Sequence, residues 1–202
     1  MNVYHAKELE DPNIVRAHPW DYAESDDSHR YYDFKANPDL IPDVLEDYRP
    51  WAKYPAIKNF YGLLSYINGP ACEFESNDCA FWGPQDNTNS NFQKSLQCSG
   101  RLMILYRDLT LNSNPKYMQT LNEGVRFYLE RLDTDLKFAF VGTSFLKVNY
   151  WKLPPRLQMG QQLALNFWAW GDDDKETFDN LGRIFLVLQT CLDNLSRNLR
   201  NA

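Results

Sequence analysis

The sequence predicts an α+β fold, and the clearest reason lies near its C-terminus. Apolar and polar residues alternate over residues 161–170, which is typical of a half-buried strand. After Gly171 and three aspartates, apolar residues recur at steps of three and four, which predicts a long amphipathic helix. They are Phe178, Leu181, Phe185, Leu188, Leu192, Leu195 and Leu199. A strand and a helix with matching apolar faces are expected to pack on each other.

The middle of the chain predicts a second helix and four more strands. Asn114 suits a helix N-cap and Pro115 the first helical position, so a helix is expected over 115–132. Its apolar stripe comprises Met118, Leu121, Val125, Tyr128 or Leu129, and Leu132. Apolar or alternating runs predict strands over 57–67, 73–82, 101–109 and 137–150. The prediction is a mainly antiparallel sheet of about five strands with two packed helices.

The N-terminal quarter differs from the rest of the chain. It contains five prolines, all three histidines and many aromatic residues, and it lacks a clear periodic pattern. We therefore predict an irregular acidic, aromatic-rich N-terminal arm over 1–55, with short helical turns near 12–17 and 39–48. A single α+β domain is expected over 56–202.

Negative charge is concentrated in the same quarter. Residues 1–50 hold 12 Asp and Glu against 5 Lys and Arg, a net charge of −7, whereas the whole chain carries −6. Because an acidic surface repels phosphate backbones, the sequence predicts no nucleic-acid partner. A basic protein is the natural complement. No run of apolar residues is long enough to span a bilayer, and no signal segment is recognisable, so a cytoplasmic protein without a membrane partner is expected.

The four cysteines match neither a zinc site nor a redox pair. Cys72, Cys79, Cys98 and Cys191 lack the required spacings, so free thiols are the favoured prediction. Bridges between Cys72 and Cys98, or between Cys79 and Cys98, remain alternatives.

Two charged clusters allow a functional and a structural interpretation. The acidic residues 172–174 with Glu176 suit a divalent cation, but they also suit a helix N-terminus, and capping is favoured. Arg101 and Arg107 suit an anionic ligand, but ion pairs at the ends of a buried strand are favoured.

Common catalytic and cofactor motifs are missing from the sequence. The histidines His5, His18 and His29 do not form a helical i, i+4 metal pair. Neither a nucleophile elbow nor a glycine-rich phosphate loop is present. The sequence therefore predicts no catalytic residues, no metal and no cofactor.

Aromatic rings interleaved with carboxylates are the strongest functional signal. Tyrosine and tryptophan anchor protein interfaces, and carboxylates steer a basic partner. The predicted partner-binding residues are Trp20, Asp21, Tyr22, Asp26, Asp27, Tyr31, Tyr32, Asp33, Glu73, Glu75 and Asp78.

Three features together resemble small bacterial immunity proteins, the cognate inhibitors of contact-dependent and other polymorphic toxins. They are the acidic arm, residues 98–109 (CSGRLMILYRDL) and residues 166–172 (NFWAWGD). The resemblance implies a non-catalytic cytoplasmic protein that covers the active site of a basic, nuclease-like toxin domain. A monomer or a weak homodimer is expected.

Two alternatives stay open. One is a small hydrolase or transferase whose arm covers a cleft, with His18 or His29 as the base and Asp172 or Asp108 nearby. The other is a phage-encoded inhibitor of a host defence protein.

Overall fold

The computed structural model describes residues 15–19, 36–40, 50–88, 92–132 and 137–201. Six strands form one sheet: β1 Val15–His18, β2 Phe74–Ser76, β3 Ala80–Asp86, β4 Leu96–Tyr106, β5 Ala139–Tyr150 and β6 Met159–Gly171. The α-helices of these residues are α1 Pro55–Asn68, α2 Leu109–Asn112, α3 Pro115–Leu132 and α4 Asp174–Arg200. Short 3-10 turns lie at Pro38–Leu40 and Pro155–Leu157.

The sheet is mixed and curls into a half-barrel. Its order is β1-β5-β6-β4-β2, and β3 also pairs with β4. β1 runs parallel to β5, whereas the other pairs are antiparallel. The helices pack on what we call the outer face of the sheet. The opposite side is the inner face.

The main core lies between the outer face and helices α1, α3 and α4. At its centre the ring of Phe60 from α1 lies 5.0 Å from that of Phe185 on α4 and 5.3 Å from that of Phe81 on β3. The ring of Phe167 on β6 lies 5.1 Å from Phe185. Gly100 on β4 makes room for this ring, because a Cβ atom there would come within 2.5 Å of Phe167. The aromatic cluster thus joins two helices to the middle of the sheet.

The acidic residues before α4 cap that helix. An Asp173 carboxylate oxygen accepts a hydrogen bond from the Glu176 backbone N–H at 2.8 Å, and a Glu176 oxygen accepts one from the Asp172 N–H at 2.8 Å. Lys94 donates to Asp172 at 2.7 Å and holds the pKa of that carboxyl below its usual value. The described parts of the chain contain no cluster of three or more His, Cys, Asp or Glu suited to a metal ion. The capping interpretation is confirmed.

All four cysteines are free thiols, as the spacings predicted. Cys98 and Cys191 are fully buried, and burial raises the pKa of each thiol to about 12. Both therefore act as small apolar core residues.

The strand predicted over 57–67 is wrong, because this segment forms α1. The apolar residues buried there recur at steps of three and four, and Pro55 occupies the start of the helix. They are Ala56, Ile57, Phe60, Tyr61, Leu63, Leu64 and Ile67. Aromatic and aliphatic content suggested a strand, but burial against α4 decided the conformation.

Two features of the predicted architecture also need correction. The sheet is mixed rather than mainly antiparallel, and the described residues contain four α-helices rather than two. The helical turn expected near 12–17 is replaced over Val15–His18 by β1, whose backbone pairs with β5. Of the turn expected near 39–48, residues beyond 40 lie outside the described residues. The α+β class, helix α3 and strands β5 and β6 agree with the prediction.

The domain boundary predicted at residue 55 stays a prediction, although β1 comes from the segment 1–55 and pairs within the sheet. None of the described helices is both long enough and apolar enough to cross a lipid bilayer.

The aromatic cluster predicts that alanine substitutions at two neighbouring positions on α4 destabilise the protein to very different extents. Phe185 is 1% exposed and Leu186 is 52% exposed. Phe185→Ala should lower the free energy of unfolding by about 3–5 kcal/mol, because it leaves a cavity between α1 and β6. Leu186→Ala should change it by less than about 0.5 kcal/mol. Urea denaturation of both variants checks this, and similar losses would contradict the described packing.

Candidate functional site: the polar seam of the half-barrel

The curvature of the sheet brings its two edges together. His18 on β1 lies opposite Tyr150, and Glu75 on β2 lies opposite Leu105, so both side chains belong to the inner face. There His18 Nε2 lies 2.9 Å from Glu75 Oε1. We call the contact zone the seam and define it by Arg16, Ala17 and His18 on one side and by Glu75, Asn77 and Asp78 on the other.

Two further contacts continue the seam along β1. Asn77 Nδ2 donates to the Ala17 carbonyl at 3.3 Å, and Arg16 lies 3.1 Å from Asp78. These residues are separated by about sixty positions in the chain, so the seam is a long-range structure.

Asp78 of the seam contacts two arginines. Besides Arg16 it binds Arg101 of β4, whose NH2 group donates to both carboxylate oxygens at 3.1 Å. Its backbone adopts φ 52, a left-handed conformation that Asp tolerates better than most residues. This conformation separates β2 from β3. One carboxylate thus joins β1 and β4 to the β2–β3 turn.

The His18–Glu75 contact is almost fully removed from solvent. The two side chains are 11% and 2% exposed. The ring of Tyr150 lies edge-on to His18 at 5.7 Å, and its hydroxyl donates to the Gln161 carbonyl. Burial, followed by the nearby Glu75 carboxylate, raises the pKa of Tyr150 well above its ordinary value. A buried carboxylate needs a partner, and His18 supplies one.

Arg107 is not part of the seam, but it anchors the backbone between α1 and β2, which leads into the seam. Its NH2 group donates to the carbonyls of Ile67, Gly69 and Phe74, and its Nε donates to the Cys72 carbonyl. It thereby fixes the end of α1 and the start of β2. Of the two arginines considered for ion pairing, Arg101 pairs with Asp78, as favoured. Arg107 instead binds main-chain oxygens.

The structure covers three of the predicted partner-binding residues. Glu75 is 1% exposed and belongs to the seam, so it is not available at the surface. Asp78 is held by Arg16 and Arg101, whereas Glu73 is half-buried and donates its backbone N–H to Ser196. The other candidates lie outside the described residues, and their role stays a prediction: Trp20, Asp21, Tyr22, Asp26, Asp27, Tyr31, Tyr32 and Asp33.

The pairing that the enzyme hypothesis expected is not observed. His18 pairs with Glu75, whereas Asp108 caps α2 through Thr110 and Asp172 binds Lys94. His29 lies outside the described residues. An apolar groove lies between α3 and the end of α4, lined by Phe74, Tyr106, Leu121, Phe127, Leu195 and Leu199 among others. It includes no seam residue.

Sequence reasoning missed the seam partners Arg16, Ala17 and Asn77. β1 is only four residues long, which is too short for a periodic pattern, and nothing in the local sequence around Asn77 indicates a partner on β1.

Comparison with models of protein families, with curated proteins and with solved structures finds no match.

The seam predicts that neutralising Asp78 destabilises the protein more than neutralising Asp179, although both aspartates form ion pairs. Asp78→Asn keeps the side-chain shape and tolerates the positive φ, but it leaves two partly buried guanidinium groups without a carboxylate. We expect a loss of about 2–3 kcal/mol in the free energy of unfolding, somewhat below the cost at a fully buried pair.

Asp179→Asn is the matched control, because Asp179 forms an exposed i, i+4 pair with Lys175. Its effect should stay below about 0.5 kcal/mol. Equal effects of the two substitutions in chemical denaturation would show that the seam contributes no special stability.

Proposed function

We propose that this protein is a cytoplasmic, non-catalytic binding protein of the immunity-protein type. It neutralises a cognate basic toxin domain by covering the active site of that domain with its acidic N-terminal segment. The carboxylates of the segment take the place of substrate phosphates, and its aromatic rings slow dissociation.

The supporting observation is the separation of charge between the segment and the domain. Residues 1–50 carry a net charge of −7. Many carboxylates of the described domain are already paired with cations: Asp78 with Arg16 and Arg101, Asp172 and Glu176 with Lys94, Asp179 with Lys175, and Asp193 with Arg197. The excess of acidic over basic residues in the sequence is therefore concentrated in the N-terminal segment.

Two attachment points, one before residue 19 and one after residue 50, also support the proposal. On the N-terminal side β1 is part of the sheet, and its seam contacts hold it there. On the C-terminal side the ring of Tyr54 stacks on Phe178 at 4.4 Å, and the ring of Trp51 lies 6.3 Å from Phe178. A segment that is tied to the domain at two points loses less freedom on binding than a free tail does.

The test compares two triple variants with the same change in net charge. The first carries Asp26→Asn, Asp27→Asn and Asp33→Asn. The control carries Asp86→Asn, Glu123→Gln and Asp179→Asn, which are exposed positions of the described domain. A pull-down from the native host with the wild-type protein identifies the partner. Association rates with the purified partner are then measured at several salt concentrations.

We expect the first variant to associate about tenfold more slowly at low salt and to show a weaker salt dependence. The control should stay near the wild-type rate. Unchanged kinetics of the first variant, equal slowing of both, or a partner without a basic surface would contradict the proposed function.

A further inference from the structure

The inner face of the half-barrel combines buried apolar and buried polar side chains. Met103, Leu146 and Ala164 form one small apolar cluster, and Leu105, Val148 and Tyr150 form another. Three polar side chains lie among them, namely Ser144 at 4%, Asn77 at 2% and Gln162 at 0% exposure. Buried polar groups are stable only when hydrogen bonds replace those lost to water.

Their hydrogen bonds are only partly accounted for. Asn77 Nδ2 donates to Gln162 Oε1 at 2.9 Å and to the Ala17 carbonyl at 3.3 Å. Asn77 Oδ1, Gln162 Nε2 and Ser144 Oγ are shielded from solvent and have no hydrogen-bond partner among the residues that the structure describes. Each such group left without a partner would destabilise the folded state.

The pairing of the strands places the three residues at neighbouring positions of the inner face. Oδ1 of Asn77 and Nε2 of Gln162 sit on the two carboxamides that are already bonded to each other. Ser144 on β5 lies opposite Ala164 on β6. Ala164 is two positions from Gln162 on β6, and it also lies opposite Met103 on β4. The position between Ser144 and the carboxamides is occupied by Ala164, whose side chain is a single methyl group.

We propose that this region is a binding site for ordered water. A water molecule suits it because one unpaired group is a donor, Gln162 Nε2, one is an acceptor, Asn77 Oδ1, and the Ser144 hydroxyl serves as either. Buried waters typically make about three hydrogen bonds to such groups. An apolar occupant would leave all three atoms unsatisfied. A charged occupant would lack a counter-ion, because Asp78 of the neighbouring seam is already paired with Arg16 and Arg101.

The water contributes to the seam through Asn77. The same carboxamide donates to Ala17 of β1 and directs its oxygen to the water, so the bound molecule fixes the orientation in which Asn77 holds β1. The water is thus an integral part of the seam that closes the half-barrel.

The direction in which Ser144→Ala changes the stability of the protein tests the proposed water site. If Ser144 Oγ bonds to water, Ser144→Ala removes a hydrogen bond and should lower the folding equilibrium constant about fivefold. If the hydroxyl has no partner, its removal relieves an unsatisfied buried group, and the constant should stay the same or rise. Ser196→Ala is the matched control, since Ser196 is fully buried and accepts from the Glu73 N–H at 3.1 Å. The folding equilibrium constant of the Ser196→Ala variant should fall in either case.

A crystal structure of the wild-type protein at about 1.5 Å resolution or better supplies a direct readout. We expect a spherical density peak within hydrogen-bond distance of Gln162 Nε2 and Asn77 Oδ1. A region without solvent density, or a protein group occupying these contacts, would overturn the proposal, as would a Ser144→Ala variant of equal or higher stability.

Discussion

Three polar contacts hold the two edges of the curved sheet together, and the arrangement of the inner face depends on them. A four-residue strand such as β1 gains little stability from its own backbone pairing. The contact of His18 with Glu75, the ion pair of Arg16 with Asp78 and the hydrogen bond from Asn77 add attachment on its second side. The Arg16–Asp78 pair is partly buried, so the loss of one partner would leave the other charge unpaired. The seam is therefore sensitive to substitution while its total contribution to stability is modest.

The seam also attaches the strongly acidic segment to the rest of the sheet. Arg16 comes from the acidic quarter of the chain, yet it binds Asp78 of the domain. His18, from the same quarter, contacts Glu75 of the domain. The segment is thus tied to the sheet by some of its few basic groups. This arrangement agrees with the proposed role of the segment as the partner-binding part of the molecule, and it places Glu75 and Asp78 in a structural role.

Much of the regular domain could be predicted because its signals are local. Helix α3 shows its capping asparagine, its first proline and its apolar stripe within one stretch of sequence. β6 and α4 are similarly clear, since alternation changes to helical periodicity at the aspartates that cap the helix. Helix α1 was misjudged because the segment is rich in residues that favour strands, although its buried positions follow a helical period.

The seam could not be predicted, because every contact in it depends on tertiary structure. Asn77 and its seam partner Ala17 are 60 residues apart, and Arg101 reaches Asp78 only because β3 folds back on β4. The sequence predicts Glu75 and Asp78 as partner-binding residues. Burial of Glu75 follows from the curvature of the whole sheet, which no short segment of the sequence specifies.

Amide hydrogen exchange on the wild-type protein and the Asp78→Asn variant tests the central claim most directly. If the seam holds the edges of the sheet, the amides of Val15–His18 and Phe74–Ser76 should lose protection together in the variant, while those in the middle of β6 and α4 keep theirs. Unchanged protection of β1, or a uniform loss throughout the domain, would contradict the account of a half-barrel closed by its polar seam.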